Sequence, residues 1–469
     1  MVIAVLKGGA SKMGDYMDFT KADFGDVRLG KRLARALGQL ASNPAASILA
    51  ACNDPYQAKA MYRFVGNDGV TVDALTKTTR DVTIKNILES QPSVVLIPQD
   101  TTSLNYSGLM ATEGLGSMAN CKDALGIQVH TAMAVGENGE IFGLMAQKLW
   151  ARPPEAYGKS VDRDAKPIEE KESYKWPETM VNAGVLRQTG IQAVHIFDRE
   201  GDIYELFCLA ETEDHSYLCR RCYNRKIEEE LGLGKVDELL NALPAAGRVN
   251  IRVPRDSHTN RKERNAEVEI KHGKCKISRP VQLVSSKELP KTVEVYVVSA
   301  VEVDPPAGQE KILWQLITNV PTESFEDAVT RIAWYTQRWK IELFHRTLKD
   351  GCKVEELQSD TAEKLKKLVA VYSIIALQIM HLGYAARTRP DETCEEYLSK
   401  DEWEILYHVA NKTRKLPERA PTIYEAVVMI AKLGGFPARK SDGFPGVTVI
   451  WRGLTSFYTI LEAAPFLSV

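Results

Sequence analysis

Charge of one sign is what this chain most lacks: lysine and arginine number 60 against 62 aspartate and glutamate, a formal net charge of -2. That excludes a global polycation, so any anionic partner has to meet a local patch. Cysteine is sparse, eight in 469 residues with no repeated spacing, which excludes a disulfide scaffold and reads as reduced thiols. Cys219 and Cys222 form one CxxC without a second pair or a nearby His in zinc-finger spacing, so structural zinc is not expected. Long apolar runs are missing too. The most apolar stretch, LVAVYSIIALQIM, is 13 residues and contains Ser and Gln, short of the roughly 20 that a membrane span needs. MVIAVLKGGASK offers Lys7, Gly8 and Gly9 in place of a signal-peptide apolar segment, and Met13 and Met17 stand as alternative starts. No internal repeat or low-complexity segment stands out. With 26% charged and 44% hydrophobic residues the chain is expected to be a cytoplasmic, multidomain globular protein without membrane contact.

What is present is a stripe. DAVTRIAWYTQRWKIELFHRTLKDG has no interior Pro or Gly, and Gly351 stops it, which predicts one continuous helix. At about 100° per residue, Tyr335, Arg338, Glu342 and Lys349 fall within roughly 60° of one another. Trp334, Ile341, Phe344 and Leu348 fall on another face, the predicted core side. Such a stripe commonly means only a solvated face of i,i+4 pairs. A carboxylate, two cations and a phenol in one line also suit a divalent metal and a phosphodiester.

Two aspartates weigh in favour of the second meaning. SVVLIPQDTTSLNY is a β-rich apolar run ending in Asp100, and IQAVHIFDREGDIYEL is another ending in Asp198. A lone strand-end Asp is usually a turn former or cap. Acids at the ends of adjacent strands converge, however, and with Glu342 they supply three oxygen ligands suited to Mg²⁺ or Mn²⁺. Two such ions clamp the attacking and leaving oxygens of an in-line phosphoryl transfer.

The rest of the chain frames these residues. From Asp18 to about Thr79 the pattern is helical; Arg28, Lys31, Arg32 and Arg35 oppose Leu29, Leu33, Leu37 and Leu40, and a second helix carries Lys59 and Arg63. Strand VVLIPQD, a hairpin turning at Asn138 and Gly139, a helix near Lys175 to Gln188 and the strand to Asp198 begin a mixed sheet of the ribonuclease-H kind. Short β runs with basic turns follow from about Lys235 to Asp304. Between Ile251 and Pro280 nine Lys/Arg face four Asp/Glu, a local basic footprint. WQLITNVP is one more strand, and the remainder is largely helical.

These residues resemble the insertion-sequence-four group of bacterial DDE transposases, close to the transposon-five transposase. Tyr335, Arg338, Glu342 and Lys349 have the spacing of that group's Y-R-E-K signature. DTTSLNY, DREGDIYE and YTQRWKIELFHRTLKDG stand in the expected order, with weaker echoes in FGDVRLGKRLARALGQLA, MYRFVGN, EKESYKW, LWQLIT and AKLGGF. The resemblance runs from roughly residue 20 to 455. It implies an α/β fold with a ribonuclease-H-like catalytic core and a β-rich insertion, flanked by N-terminal and C-terminal helical regions. Residues 1–78 would form the DNA-end-binding region, 79–214 and 311–386 the two parts of the core, 215–310 the basic insertion, and 387–469 the dimerisation and DNA-contact region. Asp100, Asp198 and Glu342 would hold two Mg²⁺ ions, with Mn²⁺ as substitute. Tyr335 and Arg338 would grip the backbone beside a flipped base stacked on Trp314, and Lys349 would meet a phosphate near the scissile bond. Arg28, Arg32 and Arg63 would contact double-stranded DNA. The implied activity is cut-and-paste transposition by a homodimer: nicking, a DNA hairpin, hairpin hydrolysis and strand transfer. A regulator that binds ends without cutting, and a plain nuclease of the same fold, are the alternatives. The full carboxylate set argues against the first, and the base-flipping set against the second.

Overall fold

The structure is a computed structural model that describes residues 19, 22–52, 54–118, 121–153, 166–230, 232–253, 264–283, 288–439 and 441–467. Met13 and Met17, and with them the question of the start, lie outside the described residues.

Four helices open the chain: α1 (Val27–Ser42), α2 (Ile48–Cys52), α3 (Pro55–Val65) and α4 (Val72–Ser90). Their starts are chemically marked. Asp26, Asp54 and Thr71 accept hydrogen bonds from backbone N–H groups of the first turns of α1, α3 and α4, and Pro55 opens α3, satisfying donors that a helix start leaves unpaired. On α1 Leu33, Leu37 and Leu40 are buried while Arg28, Lys31 and Arg35 are exposed, as the alternation predicts.

A single twelve-stranded sheet follows, with the order β2-β3-β1-β5-β6-β12-β11-β10-β7-β8; β4 pairs with β3 and β9 with β10. The strands are β1 (Val94–Asn105), β2 (Gly116–Met118), β3 (Cys121–Gly136), β4 (Ile141–Trp150), β5 (Gln192–Phe197) and β6 (Ser216–Arg220). They continue as β7 (Lys226–Glu230), β8 (Leu233–Lys235), β9 (Gly247–Val253), β10 (Arg264–Ser278), β11 (Thr292–Glu302) and β12 (Leu313–Thr318). Strands β1, β5 and β6 are parallel; β3 is antiparallel to β1 and β12 to β6. The strands of the basic segment thus prolong the same sheet through β12. Among the described residues three α-helices interrupt the strands: α5 (Lys175–Ala183), α6 (Tyr204–Thr212) and α7 (Val236–Ala242).

Side-chain alternation gives β1 two different faces. Val95 and Ile97 pack with Ile87 of α4 and with Ala183 and Leu186. Leu96 packs on the other face with Ile332, Trp334 and Tyr335. Those three belong to α8 (Phe325–Thr336), begun by a capping box between Ser324 and Asp327.

The predicted single helix around Glu342 is broken. α8 ends at Thr336 and α9 runs Trp339–Arg346, followed by a π-helical turn at Thr347–Gly351. At the break the chain tightens to i,i+3 bonds, Gln337 N–H to Trp334 O at 3.0 Å and Arg338 N–H to Tyr335 O at 3.1 Å. At the far end it widens, with Cys352 N–H reaching Thr347 O at 2.9 Å. Tightening and widening change the angle per residue, so the even stripe of an ideal helix is not kept. Tyr335 is buried beside Trp334 rather than lying on an open face.

The C-terminal part is helical: α10 (Ala362–Thr388), α11 (Lys400–Asn411), α12 (Ile423–Leu433) and α13 (Val447–Leu467). The 13-residue apolar run is the middle of the longer α10, which by length and composition is enough to cross a membrane, yet 94% of its apolar window is buried in the fold. α12 and α13 touch backbone to backbone: a Cβ at Gly453 would lie 1.8 Å from Ile430 O.

Candidate active site

Pro98 of β1 stands opposite Ile196 of β5, so Asp100 and Asp198, each two residues on, leave the parallel pair side by side. Both follow the parity of Leu96 and Ile196, on the face that carries α8. The Asp100 carboxylate accepts from Thr101 N–H at 2.8 Å. Asp198 caps a 3₁₀ turn at Arg199–Gly201 and accepts from Glu200 N–H at 2.8 Å. Glu342 enters from the first turn of α9, where the guanidinium of Arg338 donates to its carboxylate.

The electrostatics of these groups are coupled. Burial, then the charge of Asp198, push the Asp100 carboxyl up to about 7; Glu342 adds to this and Arg338 opposes it. Burial also raises Asp198, against its backbone hydrogen bond and the charges of Arg338 and Lys175. Crowded carboxylates short of countercharge are the environment that a hard divalent cation relieves. Among the described residues no three His, Cys, Asp or Glu side chains are already gathered to hold a metal ion, and Glu342 is turned to Arg338 instead. The donor chemistry therefore fits Mg²⁺ or Mn²⁺, while the placement requires Glu342 to exchange its arginine partner for the ion.

The aromatic pair predicted for base handling is also brought together. Trp314 of β12 and Tyr335 meet edge to face with centroids 5.7 Å apart, and the Arg338 guanidinium lies 5.9 Å from the Tyr335 ring. Lys349, on the π turn, stands 3.8 Å from Glu355. The N-terminal arginines are elsewhere, on α1 and α3. Arg28 is held by Asp26 at 2.8 Å, Arg32 reaches Gln57 at 3.3 Å, and Arg63 is exposed.

Part of the basic footprint of the insertion is answered in the sheet. Arg264 pairs with Glu302, Lys274 with Glu294, Lys276 with Glu228, and Arg248 with Glu267 and Glu269. Arg255, Arg261 and Lys262 lie outside the described residues.

Three neighbours of the site carry no signal in the linear pattern. Lys175 sits 3.4 Å from Glu200, between the rings of Trp150 and Trp176; its motif EKESYKW gives it no role by itself. Arg220 ends β6 and its charge reaches the Tyr335 phenol. His345 points Nδ1 at Asp100 Oδ2 from 3.8 Å and is driven down to about 3, first by burial, so it is a neutral imidazole. Beneath the site a buried chain of polar groups ties three strands. Thr101 Oγ1 meets His130 Nδ1 at 2.8 Å, His130 Nε2 meets Gln99 Oε1 at 3.2 Å, and Gln99 Nε2 meets His195 Nδ1 at 3.1 Å. No sequence motif marks this chain, because its members come from β1, β3 and β5.

Three family descriptions match the chain: Transposase DNA-binding over residues 17–70, Transposase DDE domain over 236–378, and Transposase Tn5 dimerisation domain over 374–468. Among solved structures, a piggyBac transposase synaptic complex with hairpin DNA aligns at a TM-score of 0.28 and 10% identity, covering 80% of this chain and 55% of that chain. The chain thus spans about half the length of that protein, and a likeness this slight bears on neither fold nor function.

Proposed function

The chain belongs to the Tn5-like family of DDE transposases, and from that premise we propose that it binds the ends of its own element, cuts them and joins them to new DNA. The observation that carries this reading is that Asp100 and Asp198 leave adjacent parallel strands side by side, with Arg338 bridging by charge from them to the Glu342 carboxylate it holds. The order β3-β1-β5-β6, with α9 behind it, supports a ribonuclease-H-like core. The division into an end-binding region (1–78), a core (79–214 and 311–386), an insertion (215–310) and a C-terminal region (387–469) belongs to the same proposal.

In this mechanism Asp100, Asp198 and Glu342 would hold two Mg²⁺ ions, or Mn²⁺, which would supply an activated oxygen nucleophile and charge relief for the leaving oxygen at phosphorus. The chain's own residues do the positioning. Trp314 offers its ring to a base drawn from the stack, with Tyr335 and Arg338 beside the backbone, so that a 3′-OH can reach the opposite strand and close a hairpin. Lys349 neutralises a phosphate near the cut, and Arg28, Arg32 and Arg63 meet the duplex of the element's end. A homodimer is the working unit, in keeping with the Tn5 dimerisation match over 374–468.

The regulator reading draws on one observation, that Glu342 is engaged by Arg338 rather than gathered with the aspartates. A cleavage assay decides between the two, using DNA with the inverted repeats that flank the coding sequence, in Mg²⁺ against EDTA and with Glu342→Ala beside wild type. Metal-dependent hairpin and double-strand-break products, lost in the variant, are expected. Sequence-specific binding without product, in Mg²⁺ or in Mn²⁺ put in its place, would establish the regulator.

A further inference from the structure

The buried polar chain beneath the acids stands where the ladder between β1 and β5 gives out. β1 pairs with β5 from Val94 to Pro98, whereas β3 stays in register with it from Gln99 to Asn105. Asp100 thus lies on a stretch of β1 that has a strand partner on one side only. Gln99 spans the other side. Its Nε2 reaches His195 Nδ1 on β5 at 3.1 Å, and its Oε1 reaches His130 Nε2 on β3 at 3.2 Å. Opposite Gln99 in the ladder is Ala132, whose small side chain leaves the amide room to reach diagonally to His130.

The chain of bonds has one direction. Burial drives the His130 pKa well below its ordinary value, so the ring is neutral, with one donor and one acceptor. With the Gln99 amide in this orientation, the Thr101 hydroxyl donates to His130 Nδ1 at 2.8 Å, His130 Nε2–H to Gln99, and the Gln99 amide to His195. Thr101 closes the chain on the site, because its own N–H donates to the Asp100 carboxylate at 2.8 Å. Both imidazoles are wedged by ring edges, His130 by Trp176 with centroids 4.6 Å apart and His195 by His215 at 5.5 Å. Gln99, His130 and His195 are fully buried, on the face where Val95 and Ile97 are apolar. Apolar side chains would fill that layer as well. A bonded polar row at this one level therefore points to a task that depends on geometry.

We infer that Gln99, with His130, is a positioning residue for the proposed metal site: it replaces the missing ladder to β5 and so holds the Asp100 carboxylate in place beside Asp198 for a divalent cation. The inference rests on the proposed function and deepens it. Gln99 and His130 lie on the face of β1 away from the acids, so both act through the backbone.

The test uses the full chain without DNA. Gln99→Met keeps the length of the side chain and removes both hydrogen bonds. Electron paramagnetic resonance reads Mn²⁺ affinity, and the denaturant midpoint reads stability. Mn²⁺ affinity is expected to fall about tenfold, the lower end of what losing a partner behind a metal ligand costs. A role confined to stability would lower the midpoint and leave the Mn²⁺ affinity of the folded chain unmoved, which overturns the inference. His130 supplies the rescue. His130→Leu should lose about as much affinity as Gln99→Met, while His130→Gln, which can still donate to Gln99, should keep most of it. Equal losses in that pair would show that the ring is needed only for its bulk, and would overturn the inference too. Should Gln99→Met not fold, Thr101→Val breaks only the outermost bond and is expected to weaken Mn²⁺ about threefold, the weight of one hydrogen bond. No change there is equally adverse. A wild type that cuts in Mg²⁺ beside any of these adverse results keeps the proposed function and loses only the positioning role. A wild type that neither binds Mn²⁺ nor cuts removes both.

Discussion

Arg338 stands one helical turn before Glu342 and donates to its carboxylate, and the same guanidinium lowers the pKa of Asp100 and Asp198. One arginine therefore supplies countercharge to all three acids. Burial pulls the Arg338 pKa down, but Tyr335, Glu342 and Asp100 more than restore it. The cation offsets the crowded acids, and on the proposed mechanism it would yield Glu342 to a bound metal.

The first consequence is a pH-dependent strain at Asp100. Its carboxyl is raised from 3.8 to about 7, so between those values the folded chain binds a proton that the unfolded chain has lost. The stabilisation is complete below the lower value and gone once pH passes the upper one. Asp100→Asn is therefore expected to unfold like wild type near the lower value. Above the upper one it should be more stable, by on the order of 3 kcal/mol. Denaturant midpoints at the two extremes check this, and equal differences at both would refute it. Adding Mg²⁺ should stabilise wild type and leave the variant unmoved.

Replacing Asp100, Asp198 or Glu342 by Ala is expected to reduce cleavage to background. End binding should stay within about threefold of wild type, because exposed cations and not the acids hold the duplex. A gel-shift and cleavage pair on one DNA preparation reads both. A variant that still cuts would remove that residue from its role.

Trp314→Ala tests the aromatic pocket. A stacked base is worth about 1–3 kcal/mol, so hairpin formation should slow by roughly fivefold to a hundredfold while the first nick is little changed. Single-turnover time courses separate the two steps. Equal slowing of both would show that Trp314 only supports Tyr335.

On the N-terminal helices, Arg63→Ala is expected to lower the salt slope of end binding by about 1. Arg28 is already neutralised by Asp26 at 2.8 Å, so Arg28→Ala should cost less. Asp26→Asn should then tighten binding, and a loss of affinity there would place Arg28 away from DNA.

What is legible in the sequence is local. An apolar run that ends in an acid locates Asp198 just past β5, and the leucine spacing of α1 sets which face is buried; Asp100, expected at a strand end, instead lies within β1, which runs on to Asn105 because β3 keeps pairing with it. The break at Gln337–Arg338 is not legible, because no Pro or Gly marks it and Tyr335 is drawn inward by Trp314, which stands on β12. His345 and Lys175 are hidden for the same reason: each matters through a partner distant in sequence, Asp100 for one and the Asp198 turn for the other. The cations between Ile251 and Pro280 read as a footprint by count. Cross-strand glutamates cancel three of them, and register cannot be counted from composition.

The unbroken sheet has a bearing on how such a protein can change. Had β7–β11 formed a bead on a string, the segment could be lost or exchanged with little harm. Here β11 supplies hydrogen-bond partners to β12 from Leu313 to Thr318, and β12 in turn borders β6, which pairs with β5, the strand that leads into Asp198. Removing the segment would leave Trp314 on a bare edge open to pairing with other chains. Lineages that shorten it are expected to cap that edge anew or to become insoluble.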